Sequence, residues 1–309
     1  MKLLFAPLEG ITTRTFRNAH HEYFGGCDAY YAPFITPTDN EKLSEKTIRD
    51  IVPRYNSVNE LKVQVLTNTP SAFFKFTDKI RPLGYSEVNL NLGCPSNTVC
   101  KKGRGAAFLK DVDALDRFFY EVFSKTDFKV SVKTRLGYSL AEEFEQLLNV
   151  YKKYPISLLI IHPRTRDMLY KGLPDMNSFS VAAKEYKGNI CYNGNLYDVT
   201  DCKRIINDYP NVDSLMFGRG AIANPAIFRE LKGGKRLTTN ELIGFTDLLI
   251  ERYLPLLESD VYTLHKLKEI WIYASENYPN EKKTLKLLRK ATKLDEFRSI
   301  LNSLPEIWR

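Results

Sequence analysis

Asn89, Asn91 and Cys94 stand close together in the run Glu87-Val-Asn-Leu-Asn-Leu-Gly-Cys-Pro-Ser96. In an extended chain, side chains two apart share a face, so Asn89 and Asn91 are expected to project to the same side. Gly93 would then turn the chain and present Cys94. A thiol with an ordinary pKa of about 8.5 is mostly protonated at neutral pH and can serve as a general acid. A nucleophilic role would instead need a nearby base or cation, for which His162 and Arg135 are available. An inert buried thiol is the third alternative, and the residue types alone leave all three open.

Cations supply the second signal. Ser131-Val-Lys-Thr-Arg135 puts Lys133 and Arg135 on one face of a strand, an arrangement that is costly unless an anion meets it. That anion is a ligand, or else Glu9 or another carboxylate of the chain. His162, followed by Pro163-Arg164-Thr165, is a solitary imidazole at the end of a β-rich run. Asn193-Gly194-Asn195 and Gly218-Arg219-Gly220 would offer backbone amides to a phosphate, or simply tighten two turns. Lys101-Lys102-Gly-Arg-Gly105 forms a basic loop directly after the cysteine, suited to cover a ligand or touch a polyanion.

These residues need a scaffold that brings them together. Short β-rich runs recur at residues 2–7, 29–35, 62–66, 87–92, 129–135, 157–162, 189–193 and 214–218, and stretches with helical spacing lie between most of them, at 71–81, 112–125, 141–154 and 199–209. Such alternation predicts a parallel sheet, and eight units predict an α/β fold of the (β/α)8 TIM-barrel type. A doubly wound sheet would also alternate. Here, however, nearly every run ends on polar residues or glycine, from Pro7-Leu8-Glu9 and Gln64 to Gly218-Arg219, and a barrel would gather all of these at one mouth. After Gly233-Gly234 only helical periodicity remains, so the sequence divides into a barrel domain over 1–235 and a small C-terminal all-α helical bundle over 236–309.

Net charge is +8, which suits a polyanionic partner without naming one. Basic and acidic side chains balance over residues 237–309, yet Lys282 to Lys293 holds six basic residues and no acidic one. Lys282, Lys286, Arg289, Lys290 and Lys293 follow helical spacing on one face, a candidate phosphate-tracking stripe or else the solvated face of an amphipathic helix with Leu285 and Leu288 inward. Five cysteines without a CxxC pair argue for reduced thiols and against a disulfide framework or a metal site. Residues 1–10 lack the apolar core of a secretory signal, and no segment approaches a membrane span. The expectation is a cytoplasmic monomer.

Taken together, Ala6-Pro-Leu-Glu-Gly-Ile11, Leu90-Asn-Leu-Gly-Cys-Pro-Ser96, Ser131-Val-Lys-Thr-Arg-Leu-Gly137, His162-Pro-Arg-Thr165, Asn193-Gly194 and Gly218-Arg-Gly220 resemble, in order and spacing, the dihydrouridine synthases. More loosely, His265-Lys-Leu-Lys268 with Trp271 and Tyr273 is similar to the family's RNA-facing helical domain. The resemblance implies an FMN-dependent reduction of the C5–C6 double bond of uridine in tRNA, with NADPH as reductant. It further implies hydride transfer to C6 and protonation of C5 by Cys94. By the same resemblance Pro7, Gln64, Lys133, His162, Asn193, Gly194, Gly218 and Arg219 would hold the cofactor, and Leu8, Glu9 and Asn195 beside them are further candidates for it. Asn91 and Arg135 would face the RNA, to which the basic loop adds Lys101 and Lys102 as candidates, and Lys133 would offset negative charge on the reduced flavin.

Two positions depart from the family pattern. No glycine follows the Val63-Gln64 strand motif, and Pro163, which lacks an amide donor, stands where a glycine is usual. The competing readings are a synthase acting on ribosomal RNA, a small-molecule dihydropyrimidine or dihydroorotate-type flavin dehydrogenase, and a non-catalytic RNA-binding scaffold.

Overall fold

The computed structural model describes residues 1–37 and 43–307, so the last two residues of the expected helical segment lie outside the described residues. Nine strand segments form a single sheet: β1 (Lys2–Phe5), β2 (Ala29–Tyr31), β3 (Leu61–Lys62), β4 (Gln64–Val65), β5 (Glu87–Leu92), β6 (Lys129–Arg135), β7 (Leu159–His162), β8 (Ile190–Tyr192) and β9 (Ser214–Phe217). All neighbours pair in parallel, in the order β3-β2-β1-β9-β8-β7-β6-β5-β4. The segments at the two ends of that order, β3 and β4, are consecutive in the chain around Val63, so the sheet closes on itself as an eight-staved barrel. The expected TIM barrel is the observed one, with each of the eight β-rich runs supplying one stave.

Period-two alternation sorts the strand side chains. Val88, Leu90 and Leu92 of β5, with Val130 and Val132 of β6, join the apolar layer between sheet and helices. Asn89 and Asn91 point inward, as do Ser131, Lys133 and Arg135. The floor of the interior is a small apolar cluster of Leu4, Ala6, Ala29, Tyr31, Ile160, Cys191 and Met216, which leaves room for a ligand above it, at the carboxyl ends of the strands.

Helices at Pro70–Ile80, Val112–Lys125, Glu143–Tyr151 and Val199–Asp208 match the expected ones within a few residues. Sequence periodicity missed Arg14–Tyr23 and Met176–Glu185. The first carries two histidines and two arginines, and its buried face includes Arg17 and His20, polar residues that an apolar pattern search passes over.

After residue 238 the chain is helical, with Thr239–Leu257, Asp260–Ala274, Lys282–Lys290 and Leu294–Leu301. These helices share the barrel's core. Phe245 packs edge-on to Phe16 and Phe24 of the first barrel helix at 5.7 and 5.2 Å between centroids. The Asn277 amide donates to Ala223 O at 2.6 Å, and Lys266 Nζ donates to Gly10 O at 3.1 Å. Removing the chain after Lys235 would therefore expose this aromatic cluster to water, so RNA contacts are better tested by surface charge changes.

The basic stripe is shorter than its spacing implies. The helix ends at Lys290, and Lys293 is the N-cap of the following helix. Lys282, Lys286, Arg289 and Lys290 are exposed on one helix, while Leu288 is buried beneath them.

Candidate active site

A cavity of about 620 Å³ opens at the carboxyl ends of the strands. Pro7, Leu8, Glu9, Gln64, Asn91, Cys94, Lys133, Arg135, His162, Asn193, Gly194, Asn195, Gly218 and Arg219 all line it. Lys101 and Lys102 do not; both are exposed on the outside of the loop that follows Cys94. The sequence had pointed to neither Tyr170 nor Arg166 at the rim, and it had associated Tyr273 only with an RNA-facing surface. Trp271 is in the core of the helical segment, its indole donating to Thr246 Oγ1 at 3.1 Å, and so faces no ligand.

Cys94 owes its position to the strands on either side. Gln64 Nε2 donates to Asn89 Oδ1 at 2.7 Å, and Asn91 Nδ2 donates to Gln64 Oε1 at 2.7 Å. Thus anchored, Asn91 Oδ1 accepts from the backbone amides of Gly93 and Cys94 at 3.0 and 2.9 Å. This side-chain turn, rather than any special conformation of Gly93, presents the thiol. Gly93 has no positive φ, and a Cβ there would meet only ordinary contacts. Burial raises the Cys94 thiol pKa above its usual value, with the Ser96 backbone pulling the other way and the Cys100 thiol adding to the rise. A thiol so placed keeps its proton at neutral pH, which favours the acid role over the thiolate nucleophile.

Beside the thiol stands a cationic wall. Lys133 and Arg135 project from β6, and Arg135 pairs in register with His162 of β7. Arg135 is tied to backbone carbonyls: Nε donates to Gly93 O at 2.9 Å and NH1 donates to Thr165 O and Leu169 O at 2.8 and 2.7 Å. It thereby joins the Cys94 turn to the loop after β7 and holds Leu169 at φ 52°. Lys133 has no hydrogen-bond or ion-pair partner among the described residues. Neither Lys133 nor Arg135 pairs with Glu9, and none of Lys133, Arg135, Arg164 and Arg219 pairs with a carboxylate among the described residues. Burial, with Arg135 adding repulsion, pulls the Lys133 ammonium down to about 8. The same two causes, with Lys133, Arg164 and Arg219 contributing, push His162 well below its usual range and leave it neutral.

The far side of the cavity is backbone. Asn193 Nδ2 donates to Met216 O at 2.8 Å, locking β8 to β9, and the amides of Gly194 and Asn195 have no acceptor among the described residues. At Gly220 a Cβ would lie 1.8 Å from Leu196 O, so only glycine lets the Arg219–Ala223 helix pack against that loop. Arg219 lies 4.6 Å from the Tyr170 ring centroid, and Tyr170 is half-exposed at the rim.

Comparison with known proteins decides what these parts belong to. The family model for dihydrouridine synthase (Dus) matches residues 4–304. The chain belongs to the dihydrouridine synthase family. Relatives include tRNA-dihydrouridine synthase B of Proteus vulgaris, 28% identical over 78% of this chain and 73% of that protein. The tRNA-dihydrouridine synthase B of Yersinia pestis is 27% identical over 90% of this chain and 88% of that protein. Among solved structures, morphinone reductase in complex with tetrahydroNAD superposes with a TM-score of 0.54 at 11% identity, covering 76% of this chain and 87% of that one. A 2-naphthoyl-CoA reductase superposes with a TM-score of 0.56 at 10% identity over 75% of this chain and 50% of that one. At such identities the likeness is one of fold. The chain is thus an enzyme of a family of oxidoreductases, built on a barrel that other reductases share.

The site fits a phosphorylated, anionic cofactor of flavin type. Lys133 and Arg219 carry charge that no carboxylate answers, the amides of Gly194 and Asn195 point to no protein acceptor, and the cavity between them and Cys94 has the volume of a cofactor-sized ligand. Among the described residues no group of three His, Cys, Asp or Glu side chains could hold a metal ion, and no helix is long and apolar enough to cross a membrane.

Proposed function

We propose that the chain reduces the C5–C6 double bond of a uridine in tRNA to 5,6-dihydrouridine, with FMN as cofactor and NADPH as its reductant. The observation that carries this reading is one cavity lined by both a protonated thiol and cations without counter-charge. Bound FMN would supply the hydride delivered to C6. Cys94 holds a proton above an anchored turn and gives it to C5, while Asn91 fixes that turn and Arg135 braces it from the loop after β7. Lys133 offsets negative charge on the reduced ring. Gln64, His162 and Asn193, with Pro7, Leu8 and Glu9 on the first loop, bound the cofactor, and Gly194, Asn195, Gly218 and Arg219 surround its phosphate.

Residues 1–235 are the catalytic part in this reading, and 236–309 carry the RNA-binding face, with Lys101 and Lys102 beside the mouth as further phosphate contacts. The enzyme acts as a cytoplasmic monomer. Purified protein reconstituted with FMN, given NADPH and unmodified tRNA or ribosomal RNA, tests the substrate. Dihydrouridine in tRNA is the expected product; turnover of ribosomal RNA or of free uracil alone overturns the assignment. Reversal of Lys286 and Lys290 to Glu is expected to weaken tRNA binding about tenfold or more and to lower the salt dependence of binding, with FMN affinity unchanged. Unaltered salt dependence would remove this helix from the interface.

A further inference from the structure

We infer that Arg164 is a positioning residue that fixes the tautomer of His162 and shapes the Asn195 turn, thereby setting two walls of the cofactor cavity. The inference rests on the proposed cofactor site but not on the identity of the RNA. Arg164 is almost wholly buried and does not line the cavity. Its NH1 lies 3.0 Å from His162 Nε2. A guanidinium has donors and no acceptor, so Nε2 of His162 must accept and the ring proton must sit on Nδ1.

That assignment is consistent with the surroundings. His162 is held neutral by burial and by four neighbouring cations, and a neutral imidazole is the only form with a lone pair to offer Arg164. Nδ1 has no partner among the described residues, while the ring lines the cavity. The arrangement therefore makes Nδ1–H a donor available to a ligand acceptor.

The rest of the guanidinium holds two loops. Nε donates to Lys171 O at 3.2 Å and NH2 donates to Gly172 O at 2.6 Å, securing the loop that carries Tyr170. NH2 also donates to Asn195 Oδ1 at 3.0 Å, onto which Arg219 NH2 converges at 3.5 Å. Asn195 has φ 42°, a left-handed conformation that is uncommon outside glycine and needs support. Arg164 supplies it, and with it the direction of the unpaired Gly194 and Asn195 amides. Pro163, which departs from the family pattern, has its Cδ 3.4 Å from where a Cβ on Gly194 would lie and leaves this arrangement intact.

The test is ¹⁵N NMR of the histidine rings in flavin-loaded protein, with His162 assigned by the signal lost in His162→Gln. Wild type is expected to show an acceptor-type Nε2 and a protonated Nδ1, unchanged from pH 6 to pH 9. A protonated Nε2, or a ring that titrates in that window, overturns the inference. Arg164→Met is expected to release the tautomer and weaken FMN binding at least tenfold by fluorescence titration. Arg164→Lys, which keeps one donor, should preserve the tautomer and recover only part of the affinity. Retention of the wild-type tautomer in Arg164→Met would also overturn it, and if that variant does not fold, the wild-type spectrum decides alone. Failure of the protein to bind FMN at all would sink the cofactor reading while leaving the tautomer measurable in the flavin-free protein.

Discussion

Cys94→Ala is expected to slow uridine reduction by roughly 10²–10⁴, the range of a lost general acid, while FMN binding and NADPH oxidation stay near wild type. The two half-reactions should separate because, in the proposed arrangement, the thiol meets the substrate while Lys133, His162 and the 193–195 turn, on other elements, hold the cofactor. Cys94→Ser should be nearly as slow, since a hydroxyl gives up its proton far less readily than a thiol. Burial raises the thiol pKa, so the acid is fully loaded at neutral pH and is lost only as pH climbs past the ordinary thiol range. Uridine reduction should therefore be level through neutrality and fall on the alkaline side, and the residual activity of Cys94→Ala should lack that fall. Single-turnover reduction of tRNA by pre-reduced enzyme measures both. Wild-type rates in Cys94→Ala would take the residue out of the reaction.

Much of this site was legible because strands obey a period of two. Asn89 with Asn91, and Lys133 with Arg135, announce a shared inward face by spacing alone, and the register Asn91↔Lys133 and Arg135↔His162 follows once the strands pair. Loops obey no such period. Tyr170, eight residues beyond His162, reaches the rim because Arg135 and Arg164 hold backbone carbonyls on either side of it, at Thr165 and Leu169 and at Lys171 and Gly172, which no local pattern encodes. Tyr273 was visible as part of a helix, but its approach to the cavity depends on how that helix docks on the barrel. Lys293 was misplaced for a related reason. Helical spacing continues arithmetically past Lys290, while the chain itself leaves the helix at Ala291, buried and accepting from Lys268 Nζ through its carbonyl at 2.5 Å. Gly93 looked like the pivot of the cysteine turn because glycine often is, yet the Asn91 side chain performs that task.

Lys133→Met should make the flavin-free protein more stable and the flavin-loaded protein worse at holding its cofactor. In the folded chain the ammonium is pulled from its usual 10.5 to about 8 by burial and by Arg135, and no carboxylate repays the loss of water. Between about pH 8 and 10.5 the unfolded chain holds the proton that the folded chain has shed. Stability linked to Lys133 therefore rises with pH through that window, and the penalty is fully present below it. A depression of this size corresponds to about 3–4 kcal/mol. Replacing the cation by an apolar chain of similar length is expected to recover about that much at pH 7, and little at pH 10.5. The same change removes a charge-assisted contact to the cofactor, worth about 1.5–3 kcal/mol, so FMN should stabilise the variant less than it stabilises wild type. Urea denaturation of flavin-free and flavin-loaded protein at pH 7 and above pH 10 separates the two effects. A flavin-free Lys133→Met no more stable than wild type at pH 7 would mean that the ammonium already has adequate compensation, and the case for an anion seated against it would fall.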